Sequence, residues 1–495
     1  MKNINPSYTY QFLKKLFLRQ KDRELKLKLV ALIGNVAANN YVEIFRDIEL
    51  ENFLHEYGDT FNSDVTPKKP KNNIVHLFTT VYSVGGHTRF AEQIIQLDKE
   101  NTHHILISNQ GRIALREELI QAAKESNGEI VILPDVELSE KANLLIDFIA
   151  EHAEKVFLHI HPDDYLPSLA LNKLSHQIEF FFVNHADHRF SFGVDLCSTV
   201  VNIREEGAKI SCHLRYAKDN FILPLPIHKE DFTEADLENI RNEYKISQKS
   251  VVALGIGSPY KFQDHGGYHF FKTIYSALEE NLNLCVFVVG IDEAELKKLD
   301  IQSYQSHDRL FLLGRMENPS KLQAIADIAL DPMPYGSYTA LLETCFYGAY
   351  PLVCYDTHPL FNLYLDESFR GKITLDKTEE DYLYHLSELC KYKREFTRIE
   401  IKESIQKYHG GNMWLTMLQN LYAKNTTDAF EQPISLEGLK IFNESNQKLE
   451  YKIASFFYQN ITSFGMKDVF LIFNFLILNL SNKKEAFAIL KKRIF

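Results

Sequence analysis

The sequence predicts an α/β protein built from two doubly wound domains that face a cleft, with helical extensions at both ends. Two series of short apolar runs alternate with amphipathic segments, a pattern typical of βαβ units and parallel sheets. Pro224 and Pro226 separate the two series, because a helix cannot continue through this spacing of prolines. A length of 495 residues also exceeds what one hydrophobic core usually organises.

The predicted boundaries divide the chain into four parts. Residues 1–68 carry apolar positions at helical spacing and form an N-terminal cap. Residues 69–226 form the first Rossmann-like domain, and residues 227–425 form the second. Residues 426–495 form a C-terminal helical region, again because of the helical spacing of its apolar residues.

Composition excludes several classes of protein. The net charge of −11, without a block rich in Lys and Arg, argues against nucleic-acid binding. The six cysteines show no paired spacing, so neither a disulfide framework nor a zinc site is indicated. We therefore expect no bound metal and no cofactor, and an anionic ligand requires a local cationic pocket.

The ends of the chain predict a cytoplasmic protein. The N-terminus lacks the continuous apolar segment and cleavage site of a secretory signal. The most apolar stretch, Val469 to Leu480, contains Asn474 and Asn479 and is too short to span a membrane. A buried or partner-facing helix is the favoured interpretation. A peripheral helix at the inner face of the membrane is the alternative, because lysines and an arginine follow this stretch.

In open α/β sheets, ligands bind at the carboxyl ends of the strands, so loops that follow predicted strands are candidate sites. The first such loop contains Gly85 and Gly86, followed by His87 and Arg89. Glycines at a helix N-terminus let backbone amides approach an anion or a sugar, and the two side chains add donors. This loop is a candidate acceptor or phosphate loop; a tight turn without a ligand is the alternative.

Two further loops in the first domain are rich in proton-handling groups. They end the strand runs VFLHIH and FFFVNH and supply His159, His161, Asp163, His185, Asp187 and His188. Neighbouring parallel strands deliver these groups to one edge, as activation of a hydroxyl requires. We predict His185, Asp187 and His188 as catalytic candidates. Loop hydrogen bonding is one alternative and a zinc or manganese site is another.

The second domain carries the more specific signal. Ser258 and Lys261 follow a predicted strand, and the lysine could neutralise a diphosphate. The segment ALDPMPYGSYTALLETCFYGAYP predicts a strand, a loop and a helix over 339–347, with Gly348 ending the helix. We expect the amides at Gly336, Ser337, Tyr338 and Thr339 to form an anion cradle.

This segment resembles the donor site of GT-B glycosyltransferases, in particular the O-linked N-acetylglucosamine transferases and the bacterial adhesin N-glucosyltransferases. The resemblance covers roughly residues 70–425. It implies that Ser337, Tyr338 and Thr339 hold the donor diphosphate and that Glu343 holds the ribose. It also implies that Lys261, after Tyr260, is the diphosphate lysine. The stretch RLFLLGRM, with Arg315, is similar to the segment that reads the nucleobase.

Together these features predict a metal-independent hexosyltransferase of the GT-B fold. The expected reaction transfers a sugar from a nucleotide-diphosphate donor, with UDP as the expected nucleotide. The expected acceptor is a glycan, a lipid-linked molecule or a protein in bacterial glycoconjugate assembly. A UDP-sugar 2-epimerase of the same fold and a non-catalytic partner subunit are the alternatives. Contacts of the C-terminal helices with a membrane or a partner also stay open.

Overall fold

The computed structural model describes residues 4–61, 65–82, 86–227, 230–264, 267–299, 301–333, 335–353, 366, 368–392, 395–424 and 443–494. Contacts between residues divide the chain into two compact units. Unit 1 comprises Met1–Ile222 and Asn425–Phe495, and unit 2 comprises Leu223–Lys424. The segments at both ends of the chain thus belong to the same unit.

Each unit contains one parallel sheet. The strands of unit 1 are β1 (Asn73–Phe78), β2 (Thr102–Ile107), β3 (Ile130–Ile132), β4 (Lys155–His159), β5 (Glu179–Asn184), β6 (Thr199–Asn202) and β7 (Asn220–Ile222). The strands of unit 2 are β8 (Val251–Ile256), β9 (Leu284–Val289), β10 (Leu310–Leu312), β11 (Ile328–Leu330) and β12 (Tyr350–Leu352). The strand order is β3-β2-β1-β4-β5-β6-β7 in the first sheet and β10-β9-β8-β11-β12 in the second.

Helices connect and cover the strands. Before β1 lie α1 (Pro6–Arg19), α2 (Arg23–Asn39) and α3 (Ile48–Gly58). Between the strands of unit 1 lie α4 (Gly86–Leu97), α5 (Glu117–Glu125), α6 (Leu138–His152), α7 (Leu166–Ser175) and α8 (Glu205–His213). Unit 2 contains α9 (Glu234–Glu243), α10 (Phe270–Glu280), α11 (Glu293–Lys298), α12 (Ser320–Ile325), α13 (Tyr338–Phe346), α14 (Glu379–Lys391), α15 (Glu395–His409) and α16 (Gly411–Tyr422). The chain ends with α17 (Asn446–Asn460), α18 (Met466–Asn479) and α19 (Lys483–Ile494).

The N-terminal helices begin at residues that the sequence marks as caps. The side chains of Asn5, Asp22 and Asp47 each accept a hydrogen bond from a backbone amide in the first turn of the helix that follows. Such caps satisfy amide groups that have no partner inside the helix. The helical spacing of the apolar residues then gives each helix a buried face.

The terminal helices and one face of the first sheet share one hydrophobic core. Leu13 of α1 and Ile472 of α18 belong to the same cluster of buried residues as Val75 and Leu77 of β1. The rings of Phe12 and Phe475 stack with their centroids 4.0 Å apart. Joining the two ends of the chain in this way requires tertiary contacts that helical periodicity alone does not specify.

Helix α18 contains the apolar stretch that the sequence singles out. Val469, Ile472 and Phe475 are buried, whereas the side chain of Phe470 is 67% exposed. The helix therefore packs through one face, as the favoured interpretation of the sequence expects. None of the described helices combines the length and the apolar character that crossing a membrane requires.

Opposite faces of the first sheet have different chemistry. Side chains alternate between the faces of a strand, so Val75 and Leu77 face the core shared with the terminal helices. Phe78 joins a second, smaller cluster with residues of α4 and α5. His76 points to that same second face, because it lies two residues before Phe78.

Candidate functional site

Each sheet has a point at which the chain changes direction, and candidate groups lie at both points. In unit 1 the chain runs outward from β1 to β3 and then resumes at β4, on the other side of β1. In unit 2 it runs outward from β8 to β10 and resumes at β11, on the other side of β8. The loops at the carboxyl ends of β1 and β4, and of β8 and β11, therefore border the crevices where this class of sheet binds ligands.

Lys261 and the loop after β11 form the switch-point site of unit 2. The ammonium group of Lys261 donates to the carbonyl of Gly336 at 2.7 Å and contacts Oγ of Ser337 at 3.1 Å. Burial lowers the pKa of Lys261, while Asp331 acts in the opposite direction. A partly buried cation thus lies directly beside the start of α13.

Asp331 stabilises the same loop through a hydrogen bond to its backbone. Its carboxylate accepts a hydrogen bond of 2.7 Å from the backbone amide of Ser337. Burial raises the pKa of Asp331 to about 6, against the opposing effects of the Ser337 amide and Lys261. The sequence predicts that the Ser337 amide belongs to the anion cradle, but this amide already donates to Asp331, so the prediction is wrong for this group.

Two glycines of this site leave room for neighbouring side chains. A Cβ atom on Gly336 would lie 2.6 Å from Oδ2 of Asp331, and one on Gly257 would lie 3.0 Å from Oγ of Ser337. Separations this short force neighbouring atoms to move. Gly257 thus allows the loop after β8 to approach the loop after β11, and Gly336 leaves room for the carboxylate of Asp331 within that second loop.

The N-terminus of α13 supplies further donors. The first bond of this helix runs from the Leu341 amide to the Ser337 carbonyl, at 2.9 Å. Among the described residues, no acceptor is bonded to the amides of Thr339 and Ala340, so these two groups can bind an anion. The helix ends at Phe346, and Gly348 follows with a φ of 110°, as expected of a glycine that ends a helix.

The remaining donor-site candidates lie at different depths. Glu343 is buried in α13, with Nε2 of Gln323 3.4 Å from its carboxylate. Ser258 and Arg315 are exposed where β8 and β10 end. The hydroxyl of Tyr338 is bonded to Asp366, so that side chain is already engaged.

Asp366 and His409 hold the side chain of Tyr338 in place through hydrogen bonds. Nε2 of His409 lies 3.3 Å from Asp366, and Nδ1 of the same ring is 2.8 Å from the carbonyl of Leu225. Burial raises the pKa of Asp366, but His409 and Tyr338 overcome this effect and hold the pKa below its usual range. The carboxylate therefore stays ionised and fixes the tyrosine ring.

The titration of Asp331 should be visible in the stability of unit 2. Burial raises the pKa of Asp331 to about 6 in the folded protein, above the ordinary value for an aspartate. The contribution of the protonated carboxyl to stability is therefore fully present below about pH 4 and is lost as the pH rises through 6. We expect Asp331→Asn to remove this loss and to be more stable than the parent protein at pH 7 by about 2–3 kcal/mol.

Trp414 provides the measurement, because it is the chain's single tryptophan and lies buried in unit 2. Denaturant unfolding followed by its fluorescence, at pH 4 and pH 7, gives the two free energies of unfolding. Asp308→Asn, at an exposed position, is the matched control. Equal pH dependence in Asp331→Asn and the parent protein would show that the pKa of Asp331 is unshifted.

In unit 1, the loops after β1 and β4 are held together by Thr79. Its hydroxyl donates to Asp164 at 2.5 Å and accepts from the amide of His161 at 2.8 Å. His87, at the start of α4, lies 3.2 Å from the carbonyl of Thr80 through Nε2, and burial lowers its pKa. Two of the predicted loop histidines thus border the switch point of this sheet.

The other members of the predicted glycine loop differ in position. Gly86 is exposed and begins α4, and Arg89 is half-buried in the first turn of that helix. Gly85 lies outside the described residues.

The loop after β5 gives its three catalytic candidates different surroundings. Asp187 is ion-paired with Arg204, through contacts of 2.8 Å and 3.2 Å. Burial raises the pKa of Asp187, but Arg204 and His188 overcome this and hold it below its usual range. A carboxylate held in this way is a weak base, so it serves better to orient its neighbours.

His188 is engaged on both sides of its ring. Nδ1 lies 3.4 Å from Asp187, and Nε2 accepts from Nε of Arg189 at 3.1 Å. His185 differs: Nε2 lies 3.3 Å from Nδ1 of His159, and no described residue is bonded to its own Nδ1. Of the three candidates, His185 is the one with a ring nitrogen available as a base.

A buried arginine fixes this loop. Arg215 has no exposed surface and donates to Oδ1 of Asn184 and to the carbonyls of Ala186 and Arg189. These bonds hold the backbone on both sides of the catalytic candidates. The sequence alone does not mark Arg215 as a site residue, because its partners are mainly backbone carbonyls that only the folded loop brings together.

An open cavity of about 280 Å³ lies beside these loops within unit 1. Asn39, His161, Asp163 and Arg189 contribute polar groups to its lining. Carboxylate, amide, imidazole and guanidinium groups of this kind can bind the hydroxyls of a carbohydrate. The cavity thus offers hydrogen-bonding groups to a polar ligand.

One group of described side chains has metal-ligand composition. Ligand atoms of His104, Glu129 and His152 lie within 4.8 Å of one another. However, Nδ1 of His104 accepts the Glu129 amide at 3.2 Å, which places the ring proton on Nε2. The lone pair of Nδ1 is thus already engaged and Nε2 carries the proton, so neither nitrogen of this neutral ring offers a free lone pair to an ion.

Comparison with known structures identifies the fold class. The chain superposes on a glycosyltransferase from Rickettsia africae with a TM-score of 0.53 and 10% identity, covering 72% of this chain and 99% of that one. It superposes on HepE of Anabaena, in complex with UDP and glucose, with a TM-score of 0.52 and 9% identity, covering 71% and 99%. For sucrose-phosphate synthase from Thermosynechococcus elongatus the TM-score is 0.50 and the identity 11%, covering 71% and 99%.

No family model matches the sequence, and neither does any curated protein. The structural likeness establishes an α/β protein of the GT-B fold, with two Rossmann-like units and helical extensions. The predicted fold class is thereby confirmed.

Proposed function

We propose that the protein is a glycosyltransferase that uses a nucleotide-diphosphate sugar, with UDP as the nucleotide. The observation that carries the proposal is the switch-point site of unit 2. There the ammonium of Lys261 is anchored on Gly336 and Ser337 beside the N-terminus of α13. HepE of Anabaena shares the fold and was solved with UDP and glucose, which supports the choice of donor.

Unit 2 is proposed to bind the donor. Lys261 neutralises the diphosphate, and the amides of Thr339 and Ala340 donate to its oxygens. Glu343, one turn further along α13, accepts the ribose hydroxyls. Ser258 and Arg315 are exposed after β8 and β10, two strands that are separated by β9, and bind the outer parts of the nucleotide sugar. In our proposal this positive charge replaces a divalent cation, which makes the reaction metal-independent.

The proposed role of each group follows from where charge develops during the sugar transfer. The bond between the anomeric carbon and the diphosphate breaks, and a bond from the acceptor oxygen to the anomeric carbon forms. Negative charge accumulates on the departing diphosphate, where Lys261 and the helix N-terminus stabilise it. The acceptor hydroxyl loses its proton, and His185 is the proposed base, since its Nδ1 carries no described partner.

The acceptor is proposed to be a glycan, either free or carried by a lipid or a protein, of the kind built in bacterial glycoconjugate assembly. The support is the polar lining of the cavity in unit 1, with Asn39, Asp163 and Arg189. We also propose that the donor site is similar in particular to those of the O-linked N-acetylglucosamine transferases and the adhesin N-glucosyltransferases.

A binding panel tests the donor assignment. UDP, UDP-glucose, UDP-N-acetylglucosamine and GDP-mannose are added to the full chain, and the melting temperature is measured. A ligand that binds only the native state raises it, by the equivalent of about 2.7 kcal/mol at a hundred times Kd. UDP should raise it more than uridine, the control that lacks the diphosphate.

Turnover completes this test. Release of UDP from the preferred nucleotide sugar, with a mixed glycan acceptor, is the expected outcome. No stabilisation by any nucleotide would contradict the proposal and favour a non-catalytic partner subunit. Conversion of the UDP-sugar to its 2-epimer without an acceptor would replace the transferase with an epimerase.

A further inference from the structure

Four histidines form a continuous hydrogen-bonded row across the first sheet. Nδ1 of His103 is 3.0 Å from Nε2 of His76, and Nδ1 of His76 is 3.0 Å from Nε2 of His159. Nδ1 of His159 is in turn 3.3 Å from Nε2 of His185. At the other end, Nε2 of His103 lies 3.5 Å from Oδ2 of Asp98.

Strand register produces this row. His103 on β2 lies opposite Ile74 of β1, two residues before His76. His159 on β4 lies opposite Phe78 of β1, two residues after His76. Each step therefore moves one strand across and two residues toward the carboxyl edge, which keeps every ring on the same face of the sheet.

The last step follows the same rule. On β5, Phe182 is paired with Leu158 of β4, so His185 lies two residues beyond the level of His159. The row thus begins at the amino end of β2 and ends in the loop that carries the catalytic candidates. His76, His103 and His159 have no exposed surface, and Asp98 is 3% exposed.

The four imidazole rings have the same orientation along the row. Every ring uses Nε2 on the side of Asp98 and Nδ1 on the side of His185. A neutral imidazole carries one proton and one lone pair. Nε2 of His103 has no hydrogen-bond partner among the described residues, but the carboxylate of Asp98, 3.5 Å away, repels a lone pair at that position. We therefore assign the proton of His103 to Nε2, and the same tautomer follows in His76, His159 and His185.

We propose that the row of His103, His76, His159 and His185 is a proton relay that carries the acceptor's proton from the catalytic edge of the first sheet to Asp98. This inference rests on the proposed function, because the proton comes from the acceptor hydroxyl. His185 is the catalytic base, and the other three histidines and Asp98 act through it.

The transfer balances at every step. Nδ1 of His185 takes the proton of the hydroxyl, and its Nε2 proton passes to Nδ1 of His159. The same exchange moves a proton from His159 to His76 and from His76 to His103. His103 then gives its Nε2 proton to Asp98, so all four rings end neutral in the opposite tautomer and the carboxylate becomes a carboxylic acid.

The burial of the row favours proton transfer from ring to ring over a positive charge that stays on one histidine. Burial lowers the pKa of His76, His159 and His185 well below the usual range, so an imidazolium is unfavourable at each. His87 and His161 face His185 and act in the same direction. Delivery to Asp98 instead removes a buried negative charge, so no new charge remains in the sheet.

The tautomers test the relay without any substrate. The full chain is labelled with ¹⁵N-histidine, and the four rings are assigned from single His→Gln variants. We expect all four to be neutral at pH 7 with the proton on Nε2. A mixture of tautomers among them would overturn the proposal, whatever the protein's activity.

Kinetics tests the transfer. His76→Gln keeps a donor and an acceptor in the row but cannot exchange one proton for another, and Asp98→Asn removes the final acceptor. We expect each to lower kcat about 10–100-fold, less than the roughly 10²–10⁴-fold contribution of general acid–base catalysis because His185 itself is retained, with the donor KM unchanged. His104→Gln is the matched control, because His104 adjoins His103 on β2 but points to the other face.

The outcomes separate the two proposals. A kcat for His76→Gln and Asp98→Asn equal to that of His104→Gln would exclude proton transfer through the row. A wild-type protein with uniform Nε2–H tautomers but no turnover of any nucleotide sugar would contradict the proposed function and leave the hydrogen-bonded row established. Should a variant fail to fold, the wild-type tautomers still decide whether the row is directional.

Discussion

Lys261→Ala is expected to lower donor turnover by about 10²–10³-fold, the largest kinetic effect of any single change in unit 2. The ammonium of Lys261 is held by Gly336 and Ser337, so it is positioned before any ligand arrives. A prepositioned charge stabilises the departing diphosphate without reorganisation during the reaction. The measurement is UDP release under saturating donor, together with the Kd for UDP by calorimetry.

Two controls separate charge from packing. Lys261→Met keeps most of the apolar stem that lies beside Gly257, where a Cβ on the glycine would be 3.3 Å from Cδ of the lysine. It should lose turnover as Lys261→Ala does. Lys298→Ala, at an exposed position on α11, should leave turnover unchanged. Turnover and UDP affinity retained in Lys261→Met would show that the diphosphate binds elsewhere.

The sequence predicts the strand, the loop and the helix of the segment from Ile328 to Gly348 because their determinants are local. Asp331, the turn with Gly336, helix α13 and Gly348 lie within one short segment, and their order specifies strand, loop, helix and stop. The hydrogen bond from the Ser337 amide to Asp331 cannot be predicted in this way. It depends on the path of a turn, which residue order alone does not give.

The histidine row shows why part of a site escapes sequence reasoning. His159 ends β4 and His185 follows β5, so the sequence marks both as candidates. His76 and His103 lie inside strands, where the sequence does not distinguish them from ordinary strand residues. The contacts of His76 with His103 and His159 depend on the register between neighbouring strands. Register is set by tertiary packing, and a shift of one residue would place a ring on the opposite face.

Arg215→Met is expected to destabilise the protein by about 3–5 kcal/mol, the largest stability effect of a single substitution in unit 1. Burial lowers the pKa of Arg215 to about 10, so its guanidinium stays charged at neutral pH. Methionine fills similar volume but leaves Oδ1 of Asn184 and the carbonyls of Ala186 and Arg189 without this donor. Buried acceptors that lose their donor carry the full cost of desolvation.

Far-ultraviolet circular dichroism during thermal unfolding measures this effect, with an expected drop of about 5–15 °C in the transition of unit 1. Arg112→Met, at an exposed position, is the control for loss of one positive charge. Because Arg215 fixes the loop of His185, turnover should fall in Arg215→Met even at temperatures where the variant is folded. Unfolding identical to that of Arg112→Met would mean that the loop does not depend on the arginine, and that other contacts hold His185 at the end of its row.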